Sequence, residues 1–258
     1  MEFLFEFVVA AALAAFFTAV SRPIARKAGA VAQPRRDRWH VARAIPRLSG
    51  PALLVALWPF LEPRILWALA VFCGVGVWDD GRPMGPGTKA IALLLPCAIV
   101  SWLFGDVWIG AACWVSTNAL NMLDHADGVA ASAAGGSLLM AGGVSGMSGA
   151  GACAGFLIHN WPPARAFLGD GGSLMLGTLL VLSWYPHGRL AMIAGLAVPF
   201  IDAGFVVLRR VRSGRPPWLG GTDHTGHVLL RAGVRPSWLP VCYAGVAVAF
   251  ALIGRDYL

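Results

Sequence analysis

Charge is what this chain has least of: Asp, Glu, Lys and Arg together make up 13% of its 258 residues, about half the roughly 25% of an ordinary soluble domain. A water-facing globular surface cannot be built from so little. Cysteine is sparse, and its spacing is uninformative. Cys73, Cys97, Cys113, Cys153 and Cys242 each lie in an apolar stretch, with no C-x-x-C pair and no Cys/His cluster at zinc spacing. That excludes a secreted disulfide scaffold and reads the five as buried, inert thiols. What fills the chain is apolar: 57% of residues are hydrophobic, with 32 Gly and 11 Trp, and the mean hydropathy is +0.67. Disorder, collagen and coiled coil are excluded, and an integral membrane protein is predicted.

Apolar runs fall near 3–20, 48–62, 65–78, 89–104, 107–122, 129–143, 144–158, 173–185, 190–208 and 237–253, each bounded by charge, Pro or Gly. The expected fold class is therefore all-α, a polytopic membrane protein of about ten transmembrane helices forming a single domain over residues 1–258. Several runs are shorter than the roughly 20 residues of a full span, and the Gly-rich stretch 135–155 reads as one long helix or two short ones. The first run carries Glu2 and Glu6 in place of a basic leader, so it is expected to be a retained helix and not a signal peptide.

The net charge of +7 would suit nucleic acid, but its distribution reports orientation instead. With the N-terminus outside, all of the 20 Lys and Arg except Arg64, Arg189 and Arg255 fall on one side, which the positive-inside rule makes cytoplasmic. No nucleic-acid partner is expected. Asp79, Asp80, Asp124, Asp127, Asp170 and Asp223 map to that same face. Topology does not require this, because positive-inside sorting depends little on Asp and Glu. Carboxylates from four separate loops, facing basic groups on one membrane surface, point to a divalent-metal and phosphate site.

Four motifs carry the chemistry. Asp79-Asp80 closes the third apolar run; adjacent carboxylates repel, and a bound cation or an Arg partner is a reason to keep them together, although a solvated helix end also reads this way. Asn118, Asn121, Asp124 and Asp127 recur every third residue in TNALNMLDHADGVA. A continuous helix cannot face all four one way, so Asn118 and Asn121 are expected in a last helical turn and Asp124 to Gly128 in a loop. Asp170 lies in G-D-G-G-S at the start of another apolar helix, where free N–H groups favour an anion; an N-cap role is the alternative. His224 and His227, three apart after Asp223, share one face of a helical turn. Phosphate or lipid-head contact suits them better than zinc, since no third His or Cys lies nearby in sequence.

Taken in order, these motifs resemble the polyprenyl-phosphate N-acetylhexosamine-1-phosphate transferase superfamily, glycosyltransferase family 4-like membrane proteins of bacterial cell-envelope synthesis. The resemblance covers nearly the whole chain. The first-loop pattern looks like His40 through Gly50, the membrane-edge D-D like Asp79-Asp80 followed by Lys89, the N-A-x-N-x-x-D-G-x-D-G signature like Asn118 through Gly128, and F-x-G-D-x-G-S like Phe167 through Ser173. The histidine motif corresponds to Asp223, His224 and His227. N-A-L-N-M-L-D is more similar to the branch that transfers N-acetylglucosamine-1-phosphate than to the muramoyl-pentapeptide branch. The chain departs from the pattern where His125 replaces a glycine, Ala44 and Ser49 replace a proline and a glycine, and Val228 stands in place of an arginine.

The resemblance implies transfer of a sugar-1-phosphate from a UDP-amino sugar to polyprenyl phosphate, with release of UMP and a requirement for Mg2+, Mn2+ being an alternative. It implies Asp79, Asp80, Asp124 and Asp127 as catalytic carboxylates and Asp170 with Asp79 as metal ligands. Arg43, Lys89, Asn118, Asn121, His224 and His227 become substrate contacts. The expected setting is the bacterial plasma membrane with the catalytic loops cytoplasmic, and a homodimer is left open. A cation-coupled transporter is the rival from another class; it predicts mid-membrane carboxylates and inverted repeats, and only Asp202, inside the ninth run, fits it. A CDP-alcohol phosphotransferase needs an arginine and two further aspartates after Asp127-Gly128, and residues 129–143 hold none.

Overall fold

The computed structural model describes residues 3–33 and 44–257, except the side chain of Tyr257. It is 77% helical, and among the described residues the one sheet is a two-residue antiparallel pair, β1 (Val31–Ala32) and β2 (Ile45–Pro46), that the all-α expectation did not include. This pair draws together the two ends of the stretch joining the first two helices.

Each of the ten predicted apolar runs coincides with a helix or a pair of consecutive helices. These are α1 (Leu4–Lys27), α2 (Ser49–Leu57), α3 (Pro63–Gly81), α4 (Pro86–Ala92) with α5 (Leu94–Phe104), α6 (Val107–Leu123), α7 (Val129–Ala141), α8 (Gly143–Asn160), α9 (Gly169–Trp184), α10 (Arg189–Gly195) with α11 (Ala197–Arg212), and α13 (Leu239–Tyr257). The short α12 (Thr225–Arg231) lies in the last polar loop. Among the described residues, length and composition alone qualify three helical stretches to cross a membrane, 4–27, 86–104 and 236–256, or four if α10 and α11, bent by 67°, are one span. The others are shorter or diluted by Gly, Ser and carboxylates. The stretch 135–155 is two helices, because Gly142 and Gly143 both take positive φ, 67° and 63°, and break the α-helical hydrogen-bond series there.

Burial explains the layering. Every residue of α9 from Gly171 to Trp184 is buried, as expected of a helix that is apolar all round. It is the central post, packed by α3, α6, α2, α7 and α8. Around it α1 packs on α8 and α13 on α7. Close approach between backbones makes some of the glycines necessary: a Cβ on Gly155 of α8 would lie 2.0 Å from the Ala11 carbonyl oxygen of α1, the small-residue contact by which helices associate in lipid. The perimeter is apolar too. Phe5, Phe16, Ile24, Trp67, Ile91, Leu95, Trp102 and Val107 are all exposed, a surface suited to acyl chains and costly in water. Four of the cysteines are buried as expected, but Cys242 is exposed on α13, which corrects the reading of all five as buried.

Candidate active site

The polar face is assembled from the ends of helices. Asp79 and Asp80 close α3, Lys89 lies in α4, Asn118 and Asn121 lie near the end of α6, and Asp170 sits in the first turn of α9. As the threefold spacing predicts, α6 stops at Leu123 and residues 124–128 leave it as a loop, with Gly128 in the left-handed conformation, φ 73°, leading into α7. Helices α3 and α9 come together because Gly76 has no side chain: a Cβ there would lie 2.3 Å from the Asp170 carbonyl carbon. That contact sets Asp170 beside Asp79 and Asp80, which lie about ninety positions earlier in the chain.

Lys89 holds the carboxylates together. Its Nζ lies 2.9 Å from Asp79 Oδ2 and donates to Asp170 Oδ2 at 2.7 Å, and only 11% of the lysine side chain is exposed. Because an ammonium can only donate, the Asn121 amide is oriented with its oxygen toward it. Asn121 then accepts from Lys89 Nζ at 2.8 Å and donates to Asp170 Oδ1 at 2.8 Å and to Ser173 Oγ at 2.9 Å. Asp79 Oδ1 accepts from the Met84 N–H. Asp80 Oδ2 accepts from the Gly171 N–H at 3.3 Å. Its Oδ1 is buried without a hydrogen-bond partner among the described residues and meets Arg47 only at 3.6 Å. Three carboxylates with an incompletely satisfied oxygen are an all-oxygen donor set of the kind that suits a hard divalent cation.

A cavity of about 300 Å³ opens over this cluster, lined by Arg47, Asp80, Lys89, Asn121, Asp124, Asp127, Phe167 and Asp170 among others. A second, of about 480 Å³, is lined by Asn121, Asp124, His125, Arg210, Trp218, Thr222, His224 and His227 among others. Both cavities share Asn121, Asp124 and His125. The loop residues differ in how they are held. Asp127 is buried, and its Oδ2 accepts from the Ala164 N–H at 2.9 Å, so one of its oxygens secures the loop before α9. Asn118 donates to the Trp114 carbonyl at 2.7 Å, one turn back along α6, and is not among the residues lining either cavity. Arg43 and His40 lie outside the described residues.

Sequence spacing did not anticipate what surrounds His224. Its Nδ1 lies 2.8 Å from Asp202 Oδ2. Asp202 Oδ1 accepts from the Thr225 N–H at 2.8 Å and from the Thr225 hydroxyl, which in turn meets Tyr243 Oη. The His125 ring stacks on that of His224 with centroids 4.3 Å apart, and lies 4.8 Å from that of His227. Burial, with His224 beside it, pushes the pKa of His125 down to about 3, so the ring is neutral. Asp223, at the other edge of the loop, pairs with Arg210 at 3.2 Å and Arg215 at 3.0 Å. Burial acts to raise its pKa, but the hydrogen bonds from Arg215 and Arg210 outweigh it and hold the carboxyl below its ordinary range. Two further residues with roles here went unread in the sequence. Asn160 accepts from the Gly128 N–H at 2.9 Å and donates to the Ala166 carbonyl at 2.8 Å, tying the two cavity loops together, and Arg210 lines the larger cavity from α11. Neither stands in a recognisable motif.

Residues 97–185, which include the ends of α6 and α9 that carry Asn121, Asp124, Asp127 and Asp170, match the family model described as glycosyl transferase family 4. A Streptomyces coelicolor protein named as a glycosyltransferase is 32% identical over 292 residues, covering 94% of this chain and 67% of that one. The chain belongs to this family. Within the family, its similarity extends to the N-acetylglucosamine-phosphate branch. The decaprenyl-phosphate N-acetylglucosaminephosphotransferase of Mycobacterium tuberculosis is 28% identical over 302 residues, 87% of this chain and 74% of that one. A Bacillus subtilis protein named as an undecaprenyl-phosphate N-acetylglucosaminyl 1-phosphate transferase is 26% identical over 277 residues, 88% of this chain and 77% of that one.

Proposed function

We propose that this protein transfers an N-acetylhexosamine-1-phosphate, or a related amino-sugar phosphate, from a UDP-sugar to a polyprenyl phosphate. The observation that carries this reading is the convergence of Asp79 and Asp170 on Lys89, with Asn121 bridging Lys89 and Asp170 and Asp80 bound to the Gly171 N–H beside them, at the mouths of apolar helices, in a chain whose relatives are named for that reaction. A lipid acceptor keeps its tail in the bilayer while its phosphate stays at the interface, and this site lies where helices end and charge begins. An acceptor phosphate oxygen attacks the phosphorus that bears the sugar. The bond from that phosphorus to the bridging oxygen breaks, and UMP leaves with the electron pair. A phosphate monoester is already an anionic nucleophile, so direct attack needs no covalent enzyme intermediate.

Asp170, Asp79 and Asp80 fit Mg2+ by donor chemistry and would hold it; when bound, it would supply charge neutralisation for the diphosphate. Lys89 adds a fixed positive charge to the same cavity. Asp124 and Asp127 act from the loop after α6 as catalytic or nucleotide-side carboxylates, with Asn121 positioning Asp170. His224 and His227 face the anionic substrate across the larger cavity, and Arg43 and Asn118 belong to the substrate side. We assign all of 1–258 to one unit with about ten spans in a bacterial plasma membrane, its catalytic loops cytoplasmic. The transporter reading draws no support from the family, and Asp202 is engaged with His224 and Thr225.

The test is UMP release by purified protein supplied with polyprenyl phosphate, across a panel of UDP-sugars. Release is expected with a UDP-N-acetylhexosamine, to depend on the lipid, and to stop with EDTA. Absence of release with every donor, from folded protein with Mg2+ present, would overturn the reading.

A further inference from the structure

Away from the carboxylates that surround Lys89, two imidazoles and a buried carboxylate meet beside the larger cavity, whose wall includes His125 and His224. His125 comes from the loop after α6, Asp202 from inside α11 and His224 from the residue before α12. One ligand-type atom from each lies within 4.8 Å of the others. We propose that His125, Asp202 and His224 bind a divalent transition-metal ion of the zinc class.

Four observations support this. First, both ring nitrogens of His125 are shielded from solvent and have no hydrogen-bond partner among the described residues. A half-buried imidazole whose two nitrogens are both shielded and unengaged carries a desolvation cost that a metal bond would offset. Second, two imidazoles and one carboxylate are a donor set suited to zinc and its neighbours, whereas the all-oxygen set of Asp79, Asp80 and Asp170 is suited to magnesium. Third, the carboxylate is already oriented. Asp202 is 1% exposed, and its Oδ1 is held by the Thr225 N–H and hydroxyl, leaving Oδ2 toward His224. Such outer hydrogen bonds fix a ligand before the metal arrives. Fourth, His125 and His224 line the cavity of about 480 Å³, which gives the ion an entry path and leaves room for a further ligand. The His227 ring, 5.8 Å from that of His224, stands on the same side.

The third ligand that linear spacing withheld from His224 and His227 is thus supplied by tertiary contact. The ion would fasten three segments at the cavity wall, the loop after α6, the middle of α11 and the start of α12. It would also place positive charge beside the groups that face an anionic substrate, with His224 acting there through the ion.

The site can be tested without any activity measurement. Full-length, tag-free protein is stripped with chelator, equilibrated with Zn2+ alone, desalted and analysed for bound metal. About one tightly held zinc per chain is expected, unchanged in Asp170→Asn and reduced by at least about tenfold in His125→Gln and His224→Gln. Failure of the unmodified protein to retain zinc, or equal retention by His125→Gln, would overturn the proposal. Should a histidine variant fail to fold, Co2+ added to the unmodified protein decides the matter. The visible absorption of a four- or five-coordinate nitrogen and oxygen site is expected, and a spectrum identical to aqueous Co2+ would refute it.

Discussion

Replacing Asp170 with Asn separates charge from shape at the centre of the site. The amide keeps the volume and one oxygen able to accept from Lys89, which now donates to Asp170 Oδ2 at 2.7 Å, so the junction between α3 and α9 should persist. What disappears is one of three clustered negative charges. Two unit charges about 4 Å apart interact by about 4 kcal/mol at an effective dielectric of 20. Asp79 and Asp80 stay in place and compensate in part, leaving about 3 kcal/mol lost from stabilisation of a divalent cation and the diphosphate it would neutralise. At about 1.36 kcal/mol per tenfold that is a fall of at least about 100-fold in turnover, the scale of removing a principal electrostatic stabiliser. The assay is UMP release at saturating UDP-sugar and lipid, with size-exclusion profile and thermal midpoint recorded for the same preparation. Near-normal turnover at ordinary Mg2+ would refute the assignment of Asp170 as the leading metal ligand.

Single cysteines at Gly85 and Gly220, where an added Cβ meets nothing within 4 Å, should in a cysteine-free variant react with an impermeant thiol reagent only from the cytoplasmic side; labelling of either from outside would break the assigned orientation. Gly76→Ala should push α9 away from α3 and lower activity by at least about tenfold, because a misplacement of about 1 Å can cost that much or more; full activity would show that the close approach at Asp170 is dispensable. Arg210→Met removes the buried partner of Asp223, with 4% of the arginine side chain exposed, and should cost about 3 kcal/mol in stability, whereas Arg215→Met, 42% exposed, should cost under about 1 kcal/mol. Equal shifts in thermal midpoint for the two would contradict that ranking. Since the Asp223 carboxyl is held below its ordinary range, its share of stability is present at neutral pH and is lost as the pH falls through its folded value.

Much of this protein is local in sequence. Low charge and long apolar runs are properties of composition, so helices matching all ten runs were legible from hydropathy, as was the break of α6 after Asn121, since four polar residues every third position cannot share one helical face. The signatures around Asp79, Asp124 and Asp170 were equally readable, because each is contiguous. Spatial partners across the chain were not. That Lys89 bridges Asp79 and Asp170 depends on α3 reaching α9 through Gly76, a contact between residues 94 positions apart. Asp202 reads in sequence as an isolated acid in an apolar helix, and His125 as a departure from a glycine. Only folding sets Asp202 against His224 and lays His125 over it. The physical reason is that hydropathy and periodicity act over a few helical turns, whereas the electrostatics of the site depend on which helix ends the packing of α9 brings together.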